Sequence, residues 1–236
     1  MDHIVLGYDG SDFSMQALDW ALDEAELRHL PLTLVHAWQW PYGEAEEEAK
    51  AHLRRAAEHV LWHGAECARS TGSVVQVETG LYEGPAAQRL VELSGGATLV
   101  VVGSRGLSAL PRAVVGSVAG YVAAHAGCPV IVVRGPGPLP QAARPGPIVL
   151  AEREPDAAVI EFAFAEAAMR RLPLAASADL TEWAARRPEV DVRPHDAHEP
   201  ATLVVVGRSR GARSGIADSL TQHAPGPVAV VPGAGA

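Results

Sequence analysis

Thr98-Leu99-Val100-Val101-Val102-Gly103 returns further along the chain as Thr202-Leu203-Val204-Val205-Val206-Gly207, identical at all six positions. A continuous apolar run of this kind, with no polar residue on alternate positions, suits a strand buried on both faces of a parallel sheet. Working outward, Ile148-Val149-Leu150 echoes Ile4-Val5-Leu6, and Arg171-Leu172-Pro173-Leu174 echoes His29-Leu30-Pro31-Leu32. Pro227-Val228-Ala229-Val230-Val231 likewise echoes Pro129-Val130-Ile131-Val132-Val133. The chain is therefore two tandem copies of one unit.

In the first copy, Ile4–Gly7 reads as a strand that runs into turn chemistry at Tyr8-Asp9-Gly10-Ser11. Residues 14–29 place Ala17, Leu18, Ala21, Leu22 and Ala25 at helical spacing, and Pro31 separates that helix from a strand at Leu32–Ala37. A long helix is expected from Glu46 to Arg69 with Leu53, Ala57, Val60, Gly64 and Cys67 along its buried face. Next come a strand at Ser73–Glu78, a helix opened by Gly84-Pro85 and running to Leu93, the Thr98–Val102 strand, a helix at Ser117–Ala126 and a fifth strand at Val130–Val133. Strands alternating with helices imply right-handed crossovers and an open, doubly wound parallel sheet, an α/β fold. The second copy is shorter and has little to match the long helix or the helix at 84–93. Its fifth strand, Val228–Val231, and that of the first copy would be exposed apolar edges unless they pair with each other, so an internal pseudo-dimer is expected.

Residues 134–147 carry five prolines and cannot sustain a helix or central strand. This divides the chain into a complete unit at 1–134, a Pro/Gly linker at 135–147 and a truncated repeat at 148–236. The 236 residues are 48% hydrophobic and 20% charged, which excludes a disordered chain. A net charge of −9 argues against nucleic acid or an anionic membrane as partner. No run approaches the roughly 18 apolar residues of a spanning helix, and no leader is evident, so the cytoplasm is the expected location. Eighteen arginines to one lysine, Lys50, read as base composition of the source genome. The acidic run Glu44-Ala45-Glu46-Glu47-Glu48 reads as a solvated helix start.

The chemistry lies after the fourth strand: Gly103-Ser104-Arg105-Gly106, nine residues, then Gly116-Ser117. Paired glycines let the backbone turn and approach a ligand without a Cβ in the way. Gly116-Ser117 then opens a helix whose unpaired N–H groups and dipole favour phosphate oxygens, with the Ser117 hydroxyl as a further donor. In an open α/β sheet this loop and the Asp9 turn meet outside the carboxyl ends of the strands.

The pattern G-x-x-G, nine residues, G-[ST], preceded by V-V-V-G and joined to a first-strand V-L-G-Y-D-G-S, resembles the universal stress protein family. Within it the chain is similar to tandem two-domain members of the ATP-binding branch. The resemblance spans residues 1–134 and, more weakly, 146–233. It implies Rossmann-like units of the adenine nucleotide alpha hydrolase-like type and ATP as the ligand, with or without Mg; ADP or AMP would also fit. It places Asp9 near the adenosine, Ala37 at adenine through its backbone, and Val102 and Gly103 beside ribose and phosphates. Gly106, Gly116, Ser117 and Val118 would cradle the phosphates. The family role is a nucleotide-dependent regulator of a stress response with an unknown protein partner and weak ATPase turnover at most. A slow nucleotide hydrolase or adenylate-transfer enzyme, and a nucleotide-free interaction scaffold, stay open beside it, as does a further homodimer.

The second copy departs from this pattern. Arg153-Glu154-Pro155 stands where Asp9-Gly10-Ser11 stood, and Gly207-Arg208-Ser209-Arg210-Gly211 is one residue longer. Six residues then precede Asp218-Ser219, whose carboxylate would repel phosphate by roughly 1 kcal/mol or more. No nucleotide is expected there; Arg208, Arg210 and Arg213 read as a solvated surface.

Other constellations exclude enzyme classes or read more simply as structure. The Walker lysine motif and a G-x-G-x-x-G turn after the first strand are absent from the sequence. His52, His59 and His63 share a helix stripe without an evident third metal ligand, so they read as boundary residues. His195-Asp196-Ala197-His198-Glu199 sits in a shortened connection. His36 reads as a core histidine bonded to backbone, Trp38 and Trp40 as packing residues, and Cys128 as a small buried hydrophobe.

Overall fold

The computed structural model describes residues 2–40, 47–73, 75–106, 115–134, 146–196, 199–208, 224 and 226–233. Its elements in chain order are β1 (Ile4–Gly7), α1 (Asp12–Arg28), β2 (Leu32–Trp38), α2 (Glu47–Ser70), β3 (Val77–Glu83), α3 (Ala86–Ser94), β4 (Leu99–Gly103), α4 (Ser117–His125) and β5 (Val130–Val133). The second series is β6 (Ile148–Leu150), α5 (Ala157–Arg170), β7 (Leu174–Ala176), α6 (Thr181–Arg186), β8 (Val192–Pro194), β9 (Leu203–Gly207) and β10 (Val228–Val231).

All ten strands belong to one sheet, in the order β3-β2-β1-β4-β5-β10-β9-β6-β7-β8. Every pairing is parallel except the central one, where β10 runs antiparallel to β5 with Val228 opposite Val132, Ala229 opposite Ile131 and Val230 opposite Val130. The second half thus repeats the strand order of the first about a pseudo-twofold axis at the β5–β10 seam. The apolar runs that open the sequence argument are β4 and β9, buried along almost their whole length. One face of the sheet packs Ile4, Leu6, Leu99 and Val101 under α1 and α2, and continues through Ile148, Leu150, Leu203 and Val205 under α5. The other face packs Val5, Val100 and Val102 against Leu90 of α3 and Val122 of α4.

The repeat extends to the helix ends. Ser11 caps α1 by accepting from the Ser14 N–H, and α1 stops at His29, whose φ is 55°. The Leu30 N–H then returns to the Ala25 carbonyl at 3.0 Å. Helix α5 stops in the same way at Arg171, φ 53°, with the Leu172 N–H on the Ala167 carbonyl. Both are Schellman terminations made by a non-glycine residue ahead of Leu-Pro-Leu, which then enters the next strand.

Four details differ from the sequence reading. The third strand is Val77–Glu83 rather than Ser73–Glu78, because its register follows β2 from Leu32 to Trp38 and an edge strand's limits are set by its one partner more than by β-branching. On α2 the buried residues are Ala57, Leu61, Gly64, Ala65 and Ala68, so Leu53, Val60 and Cys67 lie at the edge of the packed stripe. The stripe is rotated because Tyr8 packs on Gly64: a Cβ there would sit 2.6 Å from the Tyr8 ring. His52, His59 and His63 consequently face solvent instead of marking the boundary. Finally, the second half has a third strand of its own, β8, with the six-residue α6 where the first half has α2. Residue 46 and residues 135–145 of the linker lie outside the described residues.

Candidate functional site

A cavity of about 230 Å³ opens at the carboxyl ends of β1, β2 and β4, bounded by α3 and the start of α4. Asp9, Ala37, Val102, Gly103, Gly106, Gly116, Ser117 and Val118, singled out in the sequence, all line it. Asp9 is fixed by its own turn: one carboxylate oxygen accepts from the Ser11 N–H at 3.0 Å and the Ser11 hydroxyl at 2.6 Å. The other oxygen abuts Gly106, where any Cβ would collide with it. Gly103 is constrained from behind, since a Cβ would lie 2.7 Å from the Phe13 carbonyl oxygen of α1. These two glycines therefore answer to steric need, as the spacing of the loop suggested.

The start of α4 is tied into the same loop. The Gly116 N–H donates to the Ser104 carbonyl at 2.8 Å, and the Ser104 N–H donates to the Val133 carbonyl at 2.8 Å. Gly116 is the N-cap, and among the described residues no side chain caps the helix. The orphan N–H groups of its first turn therefore face the cavity without a side-chain acceptor, a ready site for an anionic oxygen.

Sequence reasoning missed part of the lining. His36 reaches the cavity while donating from Nδ1 to the Tyr8 carbonyl at 2.7 Å, so its backbone bond and its place at the site coexist. Tyr8, Ser14, Ala86, Leu90 and Arg105 also contribute. The Arg105 guanidinium lies over the Phe13 ring, 4.0 Å from its centroid. Tyr8 lies within the β1 turn motif, and burial, then Cys67 and Asp9, push its hydroxyl above the usual tyrosine range. Trp38 is buried, and neither Trp38 nor Trp40 belongs to the lining.

The family model of the universal stress protein family matches residues 1–134 of the chain. The chain belongs to the universal stress protein family. A universal stress protein of Mycobacterium tuberculosis is 32% identical over 217 residues, covering 84% of this chain and 78% of that one. Among solved structures, a universal stress protein from Archaeoglobus fulgidus covers 98% of this chain and 96% of its own at a TM-score of 0.76 and 19% identity, a likeness of fold. A universal stress protein solved in complex with cAMP covers 56% of this chain and 97% of its own, with 26% identity and a TM-score of 0.46. Among the described residues of this family member, no helix is long and apolar enough to cross a membrane.

At the corresponding place in the second half, a carboxylate sits on the end of β9. Glu152 follows β6 as Tyr8 follows β1, and its Oε1 accepts from the Gly207 N–H at 2.9 Å. Burial raises the Glu152 carboxyl above the usual range, with the Gly207 N–H opposing that shift. Arg208 is not part of a solvated surface: its guanidinium donates to the Ala126 carbonyl at the end of α4, joining the two halves where a helix C-terminus favours a cation. Arg210, Arg213, Asp218 and Ser219 lie outside the described residues, as does His198. Glu199 is engaged by Arg193 at 2.7 Å.

The most buried charges were not legible as a group. Glu24 of α1 and Glu166 of α5 are both fully buried. Arg28 pairs with Glu166 and Arg170 with Glu24 across the axis, while Arg28–Glu24 at 3.0 Å and Arg170–Glu166 at 3.1 Å close the square. Trp20 donates to Glu24 at 3.1 Å and lies under the Arg170 guanidinium, as Phe162 lies under Arg28. The signal was present as Glu-x-x-x-Arg at matching places in both copies.

Proposed function

We propose that the chain binds one adenine nucleotide, ATP foremost, and that occupancy sets the conformation or partner choice of a stress-response regulator. The observation that carries this reading is the convergence of Asp9, Gly106 and the uncapped start of α4 on one cavity at the strand ends. In it, phosphate oxygens meet the α4 N–H groups and the Ser117 hydroxyl, and the Asp9 carboxylate accepts from hydroxyl or amino groups of the adenosine. Ala37 and Val102 offer backbone to the base and ribose. Asp9 is the single acidic residue among the described lining residues, so Mg would ride on the phosphates rather than in a cage of carboxylates.

Residues 1–134 supply this site, and the repeat at 148–236 is read as a structural partner that holds no nucleotide. The carboxylate of Glu152 on Gly207 supports that division, because it takes the donor an anion would need and adds like charge. Calorimetric titration of the nucleotide-stripped chain with Mg-ATP tests the reading. Binding at one site per chain, lost in Asp9→Ala, is the expected result. Two equal sites would remove the assigned role of the second half, and absence of binding would leave a scaffold.

A further inference from the structure

We propose that His36 reads the base: its Nε2 accepts a hydrogen bond from the exocyclic amino group of adenine and so selects adenine over 6-oxopurines. This deepens, and rests on, the adenine-nucleotide reading. The strand order sets the two ends of the cavity. Strand β1 lies between β2 and β4, so the ends of β2 and β4 stand about 10 Å apart, two strand spacings. The start of α4, tied to the β4 loop through the Ser104 carbonyl, is the anion end. A nucleotide with its phosphates there extends its base toward β2, where His36 lines the cavity. Asp9 leans the other way, with one carboxylate oxygen held by Ser11 and the other against Gly106.

One hydrogen bond fixes the chemistry of the ring. His36 Nδ1 lies 2.7 Å from the Tyr8 carbonyl oxygen, which can only accept, so Nδ1 carries the proton. In the neutral imidazole Nε2 is then a lone-pair acceptor, and among the described residues no hydrogen bond reaches it. Adenine carries an amino donor at C6, whereas hypoxanthine and guanine carry a carbonyl acceptor. An oxo group there would set two lone pairs against each other. The ring cannot adapt by moving its proton to Nε2, because Nδ1 would then turn a lone pair on the Tyr8 carbonyl. That carbonyl is itself held in register: the Tyr8 N–H donates to the Val35 carbonyl at 2.9 Å, one residue ahead of His36. The pairing of β1 with β2 thus keeps the acceptor in place.

The test is titration of the full, nucleotide-stripped chain at pH 8 with ATP, inosine triphosphate and purine riboside triphosphate, which carries only hydrogen at C6. Wild type is expected to bind ATP about fivefold or more tighter than the purine riboside analogue, the size of one hydrogen bond, and inosine triphosphate no tighter than that analogue. His36→Asn keeps an amide donor for the Tyr8 carbonyl and lacks the Nε2 acceptor. It should hold all three nucleotides within about twofold of one another. An unchanged preference for ATP in this variant, whether or not every affinity falls, would overturn the role of His36 and leave the nucleotide reading intact. Equal wild-type affinity for ATP and the purine riboside analogue would do the same. Failure of wild type to bind any of the three would overturn both. His36→Phe, which keeps a flat ring and removes both nitrogens, carries the test if His36→Asn does not fold.

Discussion

A Cβ at position 106 would collide with an Asp9 carboxylate oxygen, so any side chain there must displace that carboxylate or the loop. Gly106→Val should therefore weaken Mg-ATP binding by tenfold or more, about 1.4 kcal/mol, by displacing either the loop or the Asp9 carboxylate. Because both lie at the rim rather than in the core, the melting temperature should move little; a melt and a titration on the same sample separate the two effects. The cysteines offer a second check at this scale. Cys128 is buried, and burial pushes its thiol up to about 11, whereas Cys67 is half-exposed on α2 near His63. A thiol reagent at pH 8 should label one cysteine per native chain rapidly and the second only on unfolding, because the thiolate is the reacting species. The glycine loop was legible because its spacing is a local, steric property. His36 and Tyr8 were less so: one was read only as a core residue and the other only as part of a turn, and their place at the cavity depends on how β1 and β2 align.

Helices α1 and α5 meet through four charges that are largely removed from water. Removing one partner of such a buried set leaves the others uncompensated, so Glu166→Ala should cost about 3–5 kcal/mol in denaturant unfolding. Its pH dependence has a definite sign. Burial and the nearby Glu24 raise Glu166 to about 7, above its ordinary 4.5, against the opposing pull of Arg28 and Arg170. The folded state then holds a proton that the unfolded chain releases earlier. This contribution to stability is complete below about pH 4.5 and fades as the pH climbs through 7. The melting temperature should fall by several degrees between pH 5 and 8, on the scale of 2–4 °C per kcal/mol for a chain this size, and Glu166→Gln should flatten the fall. A rise over that range would contradict the assignment. Elements with strong periodicity, such as α1, β4 and β9, were readable from sequence. The limits of β3 and the packed face of α2 were not, because β3 takes its register from β2 and α2 its rotation from the Tyr8–Gly64 contact.

Across the whole molecule, the β5–β10 seam merges two cores into one sheet. Apolar packing runs through it without a solvent gap, since Ile131, Val132, Val228 and Ala229 are all fully buried. The two halves should consequently unfold together: calorimetry should give one transition with equal van't Hoff and calorimetric enthalpies. Two resolved transitions would mean that the halves are independent. The repeat made this arrangement readable, since two matching apolar edges in one chain call for each other. The replacement of α2 by the short α6 was visible only as missing sequence, and the Glu152–Gly207 hydrogen bond only once β6 and β9 lay side by side.

Fusion has a consequence for how this molecule responds to its own abundance. Two separate subunits joined along such an edge would part on dilution, so their competence would track expression level. Here the mate is tethered, at an effective concentration set by chain length and indifferent to how many copies the cell makes. The seam is therefore as firm in a single molecule as in a concentrated solution. On the proposed reading, the frame of the nucleotide site would be in place from the first copy synthesised.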